Sequence, residues 1–274
     1  MNAANKPPDE LWVCHMGLVP YSDGLAIQGT LHARRQGGEI PDTLLLLEHP
    51  PVYTRGRRSA DGELPFGEDF YRAKGIDVVP TDRGGRITYH GPGQLVGYPI
   101  MAVTDVVAYL RTIEDAIVTA LGDAGIAARS RPEDGPDYTG VWVRERKIAS
   151  IGVHVSRGIA THGFAVNVTN DLEPFSWVVA CGLPDVSMTS IAREAPHGEC
   201  WPISTGPSPT DRSLSCFRKR VAHSFSEAHS RRQRLVSPQR LGIDTAHAAR
   251  HAFERAPKDP GQPAPGIRPE AIPA

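Results

Sequence analysis

VWVRERKIASIGVHVSRGIATHGFAVNV, residues 141–168, is the stretch that decides the architecture of this chain. Val141 to Val143, Ile148 to Val155 and Gly163 to Val168 are rich in β-branched residues and alternate in polarity. Polar turns at Arg144 to Arg146 and Ser156 to Gly158 separate them. Alternating runs joined by short polar turns predict a meander of antiparallel hairpins. Upstream, Thr43 to Leu47 is a continuous apolar run between Pro41 and Pro50-Pro51. It fits a strand buried on both faces, although a buried helix segment has the same pattern. Ile76 to Pro80 reads as a further short strand, and Arg55 to Gly67 as a loop rich in glycine and charge.

Helices precede and interrupt these strands. Tyr21 to Gln36 predicts a helix capped by Ser22 or Asp23 and stopped by Gly37-Gly38. A second, capped by Thr104 or Asp105, carries Val106, Leu110, Ile113, Ile117 and Leu121 at helical spacing and ends at Gly122. That stripe reads as core without chemistry. Helices and strands in one domain predict an α+β class, sandwich-like, with a sheet flanked by helices.

The chain has 274 residues, 40% hydrophobic and 22% charged, which excludes fibrous and wholly disordered classes and allows a sizeable core. Its net charge of −1 is a cancellation. Residues 1–200 hold 18 Lys/Arg against 25 Asp/Glu, a net −7, whereas residues 201–274 hold 12 against 6, a net +6. The latter also contain 10 of the 25 prolines and basic clusters at Arg218-Lys219-Arg220 and Arg231-Arg232. The predicted organisation is a lead-in over 1–20, a domain over 21–200, and a Pro-rich basic tail over 201–274, largely disordered or partly helical. Four cysteines (Cys14, Cys181, Cys200, Cys216) stand at irregular spacing without a C-x-x-C pair. With no signal peptide and no apolar run near the ~20 residues a membrane span needs, free thiols in a reducing cytoplasm are expected.

Chemistry concentrates in three places. Arg83-Gly-Gly-Arg-Ile-Thr-Tyr-His-Gly-Pro-Gly-Gln94 has four glycines within ten residues, interleaved with hydroxyl, imidazole and guanidinium groups. Glycine and proline here are consistent with a tight double turn between strands, but a turn does not need Arg, Thr, Tyr and His together. The loop is neither a P-loop nor a dinucleotide fingerprint. Cys181 closes the apolar run Trp177-Val-Val-Ala-Cys181 ahead of Gly182 and Pro184. Such a cysteine is ordinarily a small buried hydrophobe; as a nucleophile it needs help to form the thiolate. Lys147, opening the strand Lys147 to Val155, gives that help if its ammonium meets the thiol; otherwise it is a solvated surface charge. No histidine spacing suits a metal, and there is no G-x-S-x-G elbow.

Five blocks occur in order: Pro51 to Arg57, Thr81 to Gln94, Lys147 to Gly152, His162 to Asn167 and Ala180 to Leu183. Together they closely resemble the octanoyltransferases of lipoate biosynthesis, the lipoyl(octanoyl) transferase or lipoate-protein ligase B family, from about residue 21 to residue 194. The resemblance implies a biotin/lipoate protein ligase catalytic-domain fold, a mixed and largely antiparallel sheet flanked by helices. It implies transfer of an octanoyl group from octanoyl-acyl carrier protein to a lysine of lipoyl domains. The acceptors would be 2-oxoacid dehydrogenase E2 subunits and the glycine cleavage H protein. By the same resemblance Cys181 is the acyl-thioester nucleophile and Lys147 lowers its pKa and moves protons. Arg83, Gly84, Gly85, Arg86, Ile87, Thr88, Tyr89, His90, Ser150, Ile151, Gly152, Gly163, Phe164 and Ala165 line the substrate. No metal or cofactor is implied, and neither nucleic acid nor membrane is a partner. Either Lys147 or His90 would handle the acceptor amine's proton. His154 stands where the family often carries arginine, and the tail is longer than its members generally need. Two rivals remain: an ATP-dependent lipoate or biotin ligase on the same fold, faintly echoed in Arg55-Gly56-Arg57, and a non-catalytic lipoyl-domain or acyl-carrier binding protein.

Overall fold

The meander forms one half of an eight-stranded sheet. The computed structural model describes residues 9–183, 186–195 and 209–244, with Cys181 and residues 209–212 described by their backbone. In chain order the strands are β1 (Glu10–Leu18), β2 (Asp42–Glu48), β3 (Val52–Arg55), β4 (Asp77–Pro80), β5 (Thr88–His90) and β6 (Gln94–Ile100). They continue as β7 (Arg129–Ser130), β8 (Gly140–Val143), β9 (Arg146–Ser156), β10 (Ile159–Asn167) and β11 (Arg232–Leu235). The helices are α1 (Tyr21–Gln36), α2 (Glu68–Ala73), α3 (Val106–Gly122), α4 (Ile191–Glu194) and α5 (Pro209–Ala228).

The large sheet runs β11-β1-β2-β6-β10-β9-β8-β7. β11, β1 and β2 are parallel, and every other pairing is antiparallel, so the sheet is mixed and mostly antiparallel as expected. The hairpin turns fall at Arg144-Glu145 and Arg157-Gly158, inside the polar segments that mark them in the sequence. The apolar run 43–47 lies within β2 and is buried on both faces. Leu44 and Leu46 join the core beneath α3 and α5, while Leu45 and Leu47 join the core on the α1 side. Each fully buried leucine stabilises the fold by roughly 1.5–3 kcal/mol. Asp105 caps α3, accepting from the Val107 and Ala108 N–H groups at 2.9 and 3.0 Å. α1 starts at Tyr21 after Pro20 without a side-chain cap, so the expected cap at Ser22 or Asp23 is not made.

Two parts read as flanking segments belong to the core. Residues 10–18 of the lead-in are β1, whose Leu11 and Val13 face α3 and α5 and whose Trp12, Cys14 and Met16 face the other way. Residues 209–228 of the tail are α5. Its Leu214, Phe217, Val221 and Phe225 recur at three- and four-residue spacing and are at most 4% exposed. This stripe lets the segment bury apolar surface despite its charge. β11 then pairs with β1, and Leu241 and Ile243 close the α1-side core. Residues 1–8, 201–208 and 245–274 lie outside the described residues. Cys14 is buried and free, its thiol pushed up to about 11 by burial, whereas Cys216 on α5 is disulfide-bonded, which corrects the expectation of free thiols there. No helix among the described residues is long and apolar enough to cross a membrane.

A second sheet, β4-β3-β5, stands beside the first. Tyr53 and Tyr89 of this sheet and Tyr71 of α2 pack with Phe175, Val178 and Ala180. This cluster carries the chain into the short 3-10 turn Ala180–Gly182.

Candidate active site

A cavity of about 300 Å³ opens between the Gly-rich loop of 83–87, the ends of β9 and β10, and the start of α3. Its size lies at the lower end of the roughly 300–1,000 Å³ usual for small-molecule sites. Arg83, Gly84, Gly85, Arg86, Ile87, Thr88, His90, Lys147, Ser150, Ile151, Gly152, Gly163, Phe164 and Ala165 line it. Tyr89 does not. Side chains alternate along β5, so Thr88 and His90 face the cavity while the Tyr89 ring packs 5.5 Å from both Tyr53 and Phe175. Tyr89 is therefore a support of the small sheet, not a lining residue.

The loop is held from two sides. Gly84 N–H donates to the Val153 carbonyl of β9 at 2.9 Å, and the N–H groups of Arg57 and Arg58 donate to the Arg83 and Gly85 carbonyls, both at 3.0 Å. The Arg83 guanidinium is buried and turned onto β3, where its Nε donates to the Thr54 hydroxyl at 3.1 Å and its Nη1 to the Gly84 carbonyl at 3.0 Å. Arg83 thus shapes the loop while bordering the cavity.

His90 sits in a network of saturated hydrogen bonds. The Gln94 amide nitrogen donates to the Tyr89 carbonyl at 3.1 Å and to Asn167 Oδ1 at 3.0 Å, so its oxygen accepts from His90 Nδ1 at 2.7 Å. That assigns the proton of the neutral imidazole to Nδ1. Burial, with His49 nearby, holds His90 well below the ordinary imidazole range. His49 donates from Nδ1 to the Val19 carbonyl and accepts at Nε2 from the Tyr98 hydroxyl, both at 2.6 Å, and burial lowers it to about 4. His162 lies 2.6 Å from Asp82, yet burial still lowers it. Burial thus disfavours the imidazolium form at all three of these histidines.

Lys147 is 2% exposed and lines the cavity, its Nζ 5.3 Å from the Trp142 ring centroid. Its backbone is clasped by the chain beyond Cys181. Lys147 N–H donates to the Ser187 carbonyl and Thr189 N–H donates to the Lys147 carbonyl, both at 2.9 Å. Asn167 Nδ2 donates to the Thr189 carbonyl at 3.0 Å, which joins this clasp to the His90 network.

The Cys181 side chain lies outside the described residues, but its turn is placed. Val179 N–H donates to the Glu63 carbonyl at 3.1 Å. Glu63 is buried, and its carboxylate accepts from Arg86 Nη1 at 2.9 Å and from Ile87 N–H at 3.2 Å. Gly182 has φ +68, and a Cβ there would come within 2.1 Å of Arg86 Cδ. The Arg86 stem therefore lies directly on the residue after Cys181, a contact only glycine permits. Glu63 ties the Cys181 turn, Arg86 and the Gly-rich loop into one unit.

Several of these groups escape a reading of the sequence. Glu63 and Tyr98 are single residues without a pattern, and His162, although it opens one of the five blocks, carries no assigned role. Val106 and Leu110 belong to the α3 stripe read as core. Ile113, Ile117 and Leu121 are core, but Val106 and Leu110, in the first turns of α3, line the cavity, Leu110 also packing against the core. With Ile151 and Phe164, register partners on β9 and β10, they make one wall apolar. Among the described residues no group of three or more His, Cys, Asp or Glu could hold a metal.

Residues 20–203 match the lipoyl protein ligase A/B catalytic domain. A protein of Rubrobacter xylanophilus named octanoyltransferase is 50% identical over 182 residues, covering 65% of this chain and 80% of its own length. An octanoyltransferase of Solibacter usitatus is 50% identical over 186 residues, covering 66% and 83%. A T. acidophilum structure described as a putative lipoate protein ligase with bound lipoic acid superposes with a TM-score of 0.64. At 18% identity, covering 90% of this chain and 95% of that one, it shows a shared fold. The match over residues 20–203 and these identities place the chain: it belongs to the octanoyltransferases of the lipoyl protein ligase A/B family.

Proposed function

We propose that the chain moves an octanoyl group from octanoyl-acyl carrier protein to a lysine of lipoyl domains through a thioester on Cys181, in the cytoplasm. The Cys181 thiolate attacks the donor's thioester carbonyl, forming a new carbon–sulfur bond while the carrier's sulfur leaves with its electron pair. The Lys147 ammonium favours the thiolate by charge and gives its proton to the leaving sulfur. The neutral Lys147 amine then accepts a proton from the incoming lysine as that nitrogen attacks and the Cys181 thiolate departs. Each cycle returns both groups to their starting state. The donor is already activated, so the exchange of one thioester for another needs no ATP.

The observation that carries this reading is the burial of Lys147 in the cavity, clasped by the segment that follows Cys181. His90 is the weaker candidate for the proton, because both its ring nitrogens are engaged, Nδ1 with the Gln94 oxygen at 2.7 Å and Nε2 with the Thr54 hydroxyl at 3.5 Å. Gly182 N–H donates to the Val179 carbonyl at 3.1 Å, and in the Gly-rich loop Gly84 and Ile87 N–H donate to Val153 and Glu63, so Gly85 and Arg86 are the loop positions this reading assigns as oxyanion donors. The acceptors, by this reading, are E2 lipoyl domains and the glycine cleavage H protein.

Incubation with octanoyl-acyl carrier protein and a lipoyl domain, without nucleotide, tests it. Octanoylation of the lipoyl domain is expected, and Cys181→Ser should abolish it. Transfer only when octanoate and ATP are supplied would instead identify a ligase. Binding of both proteins with no transfer would identify a non-catalytic protein.

A further inference from the structure

The apolar wall of the cavity has a backing that lies outside residues 20–203, the part matched by the family. Phe164, 3% exposed, presents one side to the cavity. Its ring tip rests on Gly97 of β6, where a Cβ would come within 2.1 Å of it. The Phe225 ring of α5 lies behind it, centroid to centroid 6.1 Å and inclined by 32°. Phe225 is itself fixed: His229 stacks on it at 4.1 Å and 26°, and Tyr109 of α3 meets His229 edge-on at 5.8 Å. Both helices carrying this stack pack against each other over the same face of the sheet. Phe164 thus has the sheet at its ring tip, the Phe225 ring on its α5 side, and the cavity along the part of it that lines the pocket.

We propose that Phe225, acting through Phe164, sets the length of acyl chain that the cavity accepts. The proposal rests on the acyl-transfer reading above. The physical argument is one of volume and chemistry. Val106, Leu110, Ile151 and Phe164 offer no hydrogen bond, so this wall distinguishes acyl chains only by how many methylenes they fit against it. In a close-packed interior the position of a lining ring is decided by what stands behind it. Removing atoms at Phe225 lets Phe164 retreat and deepens the cavity; adding atoms pushes Phe164 forward and shortens it. One methylene in an apolar pocket changes selectivity by about tenfold or more. Phe225 does not touch the acyl chain and is a positioning residue.

The experiment uses the full chain and acyl-carrier protein loaded with hexanoyl, octanoyl or decanoyl groups, reading intact-mass loading rates of the enzyme. Phe225→Leu and Phe225→Ala should raise the decanoyl-to-octanoyl ratio by about tenfold. Phe225→Trp should shift preference toward hexanoyl. Leu214→Ala, about 16 Å away along the same helix, should lower thermal stability yet leave the ratio at its wild-type value. If Phe225→Ala does not fold, Phe225→Leu and Phe225→Trp decide the matter. Folded Phe225 variants with the wild-type chain-length profile would overturn the proposal. A ratio that moves equally in Leu214→Ala would overturn it too, by showing a general loosening. Failure of the wild type to load any chain would instead strike the acyl-transfer reading, and the proposal with it.

Discussion

The two walls of the cavity are built on opposite principles. Beside the Gly-rich loop, Arg83, His90, Gln94 and Asn167 have buried polar groups joined in continuous hydrogen bonds. Across from it, Val106, Leu110, Ile151 and Phe164 offer only apolar surface, backed by α3 and α5. A polar network is positional: each bond constrains an angle, and a half-broken network is costly. An apolar wall is volumetric, constraining only how much fits. Variants on the polar side should therefore change the rate for every acyl chain alike. Variants on the apolar side should change which chain is chosen.

The largest effect expected is on the polar side. Lys147→Ala should lower turnover about 10²–10⁴-fold for all chain lengths, the range usual for a positioned acid–base group, as measured by steady-state transfer. A loss confined to one chain length would blur the contrast between the walls. Next is Gly182→Ala, which places a methyl group into the Arg86 stem at a left-handed φ. Strain of about 1–3 kcal/mol is expected there, read as reduced turnover with little change in the chain-length ratio. Glu63→Gln keeps an acceptor for Ile87 N–H but loses the charge paired with Arg86. A loss of about 1–3 kcal/mol in denaturant unfolding is expected, with kcat falling more than KM rises.

The histidine cluster supplies a pH test of the same network. His49 has a folded pKa of about 4, below its unfolded value near 6.5, so the unfolded state binds more protons between them. Stability is therefore full above pH 6.5 and falls as pH drops toward 4, by roughly 3 kcal/mol at most from this residue. His49→Gln should flatten that slope; an unchanged slope would detach His49 from it. The smallest effect is expected from Asp105→Ala at the exposed start of α3, about 1 kcal/mol in thermal unfolding. Its chain-length ratio should barely move, since Leu110 and Phe164 stay packed.

The meander is legible in the sequence through its β-branched runs and the short polar turns between them, and β2 through a continuous apolar run that ends up buried on both faces. β1 and α5 are harder to see, for different reasons. β1 is a short stretch at the chain start, and its two faces show only once β2 and β11 lie beside it. α5 carries a regular apolar stripe, but Arg218-Lys219-Arg220 and the surrounding prolines dominate its composition. The Gly-rich loop announces itself by residue types that a turn does not need. Glu63 and Phe225 give no such notice. Each matters through long-range partners, Arg86, Ile87 and Val179 for Glu63 and Phe164 for Phe225, and partners 23 or more positions away leave no local pattern. Tyr89 shows the converse: a residue inside a functional block that faces the other side of its strand.

The account turns on whether the acyl group rests covalently on Cys181 beside Lys147. Intact-mass and peptide mass spectrometry after mixing with octanoyl-acyl carrier protein, without nucleotide, addresses this directly. A single octanoyl adduct on the Cys181 peptide is predicted, lost on addition of a lipoyl domain. An unmodified Cys181, with the lipoyl domain nonetheless octanoylated, would contradict the account.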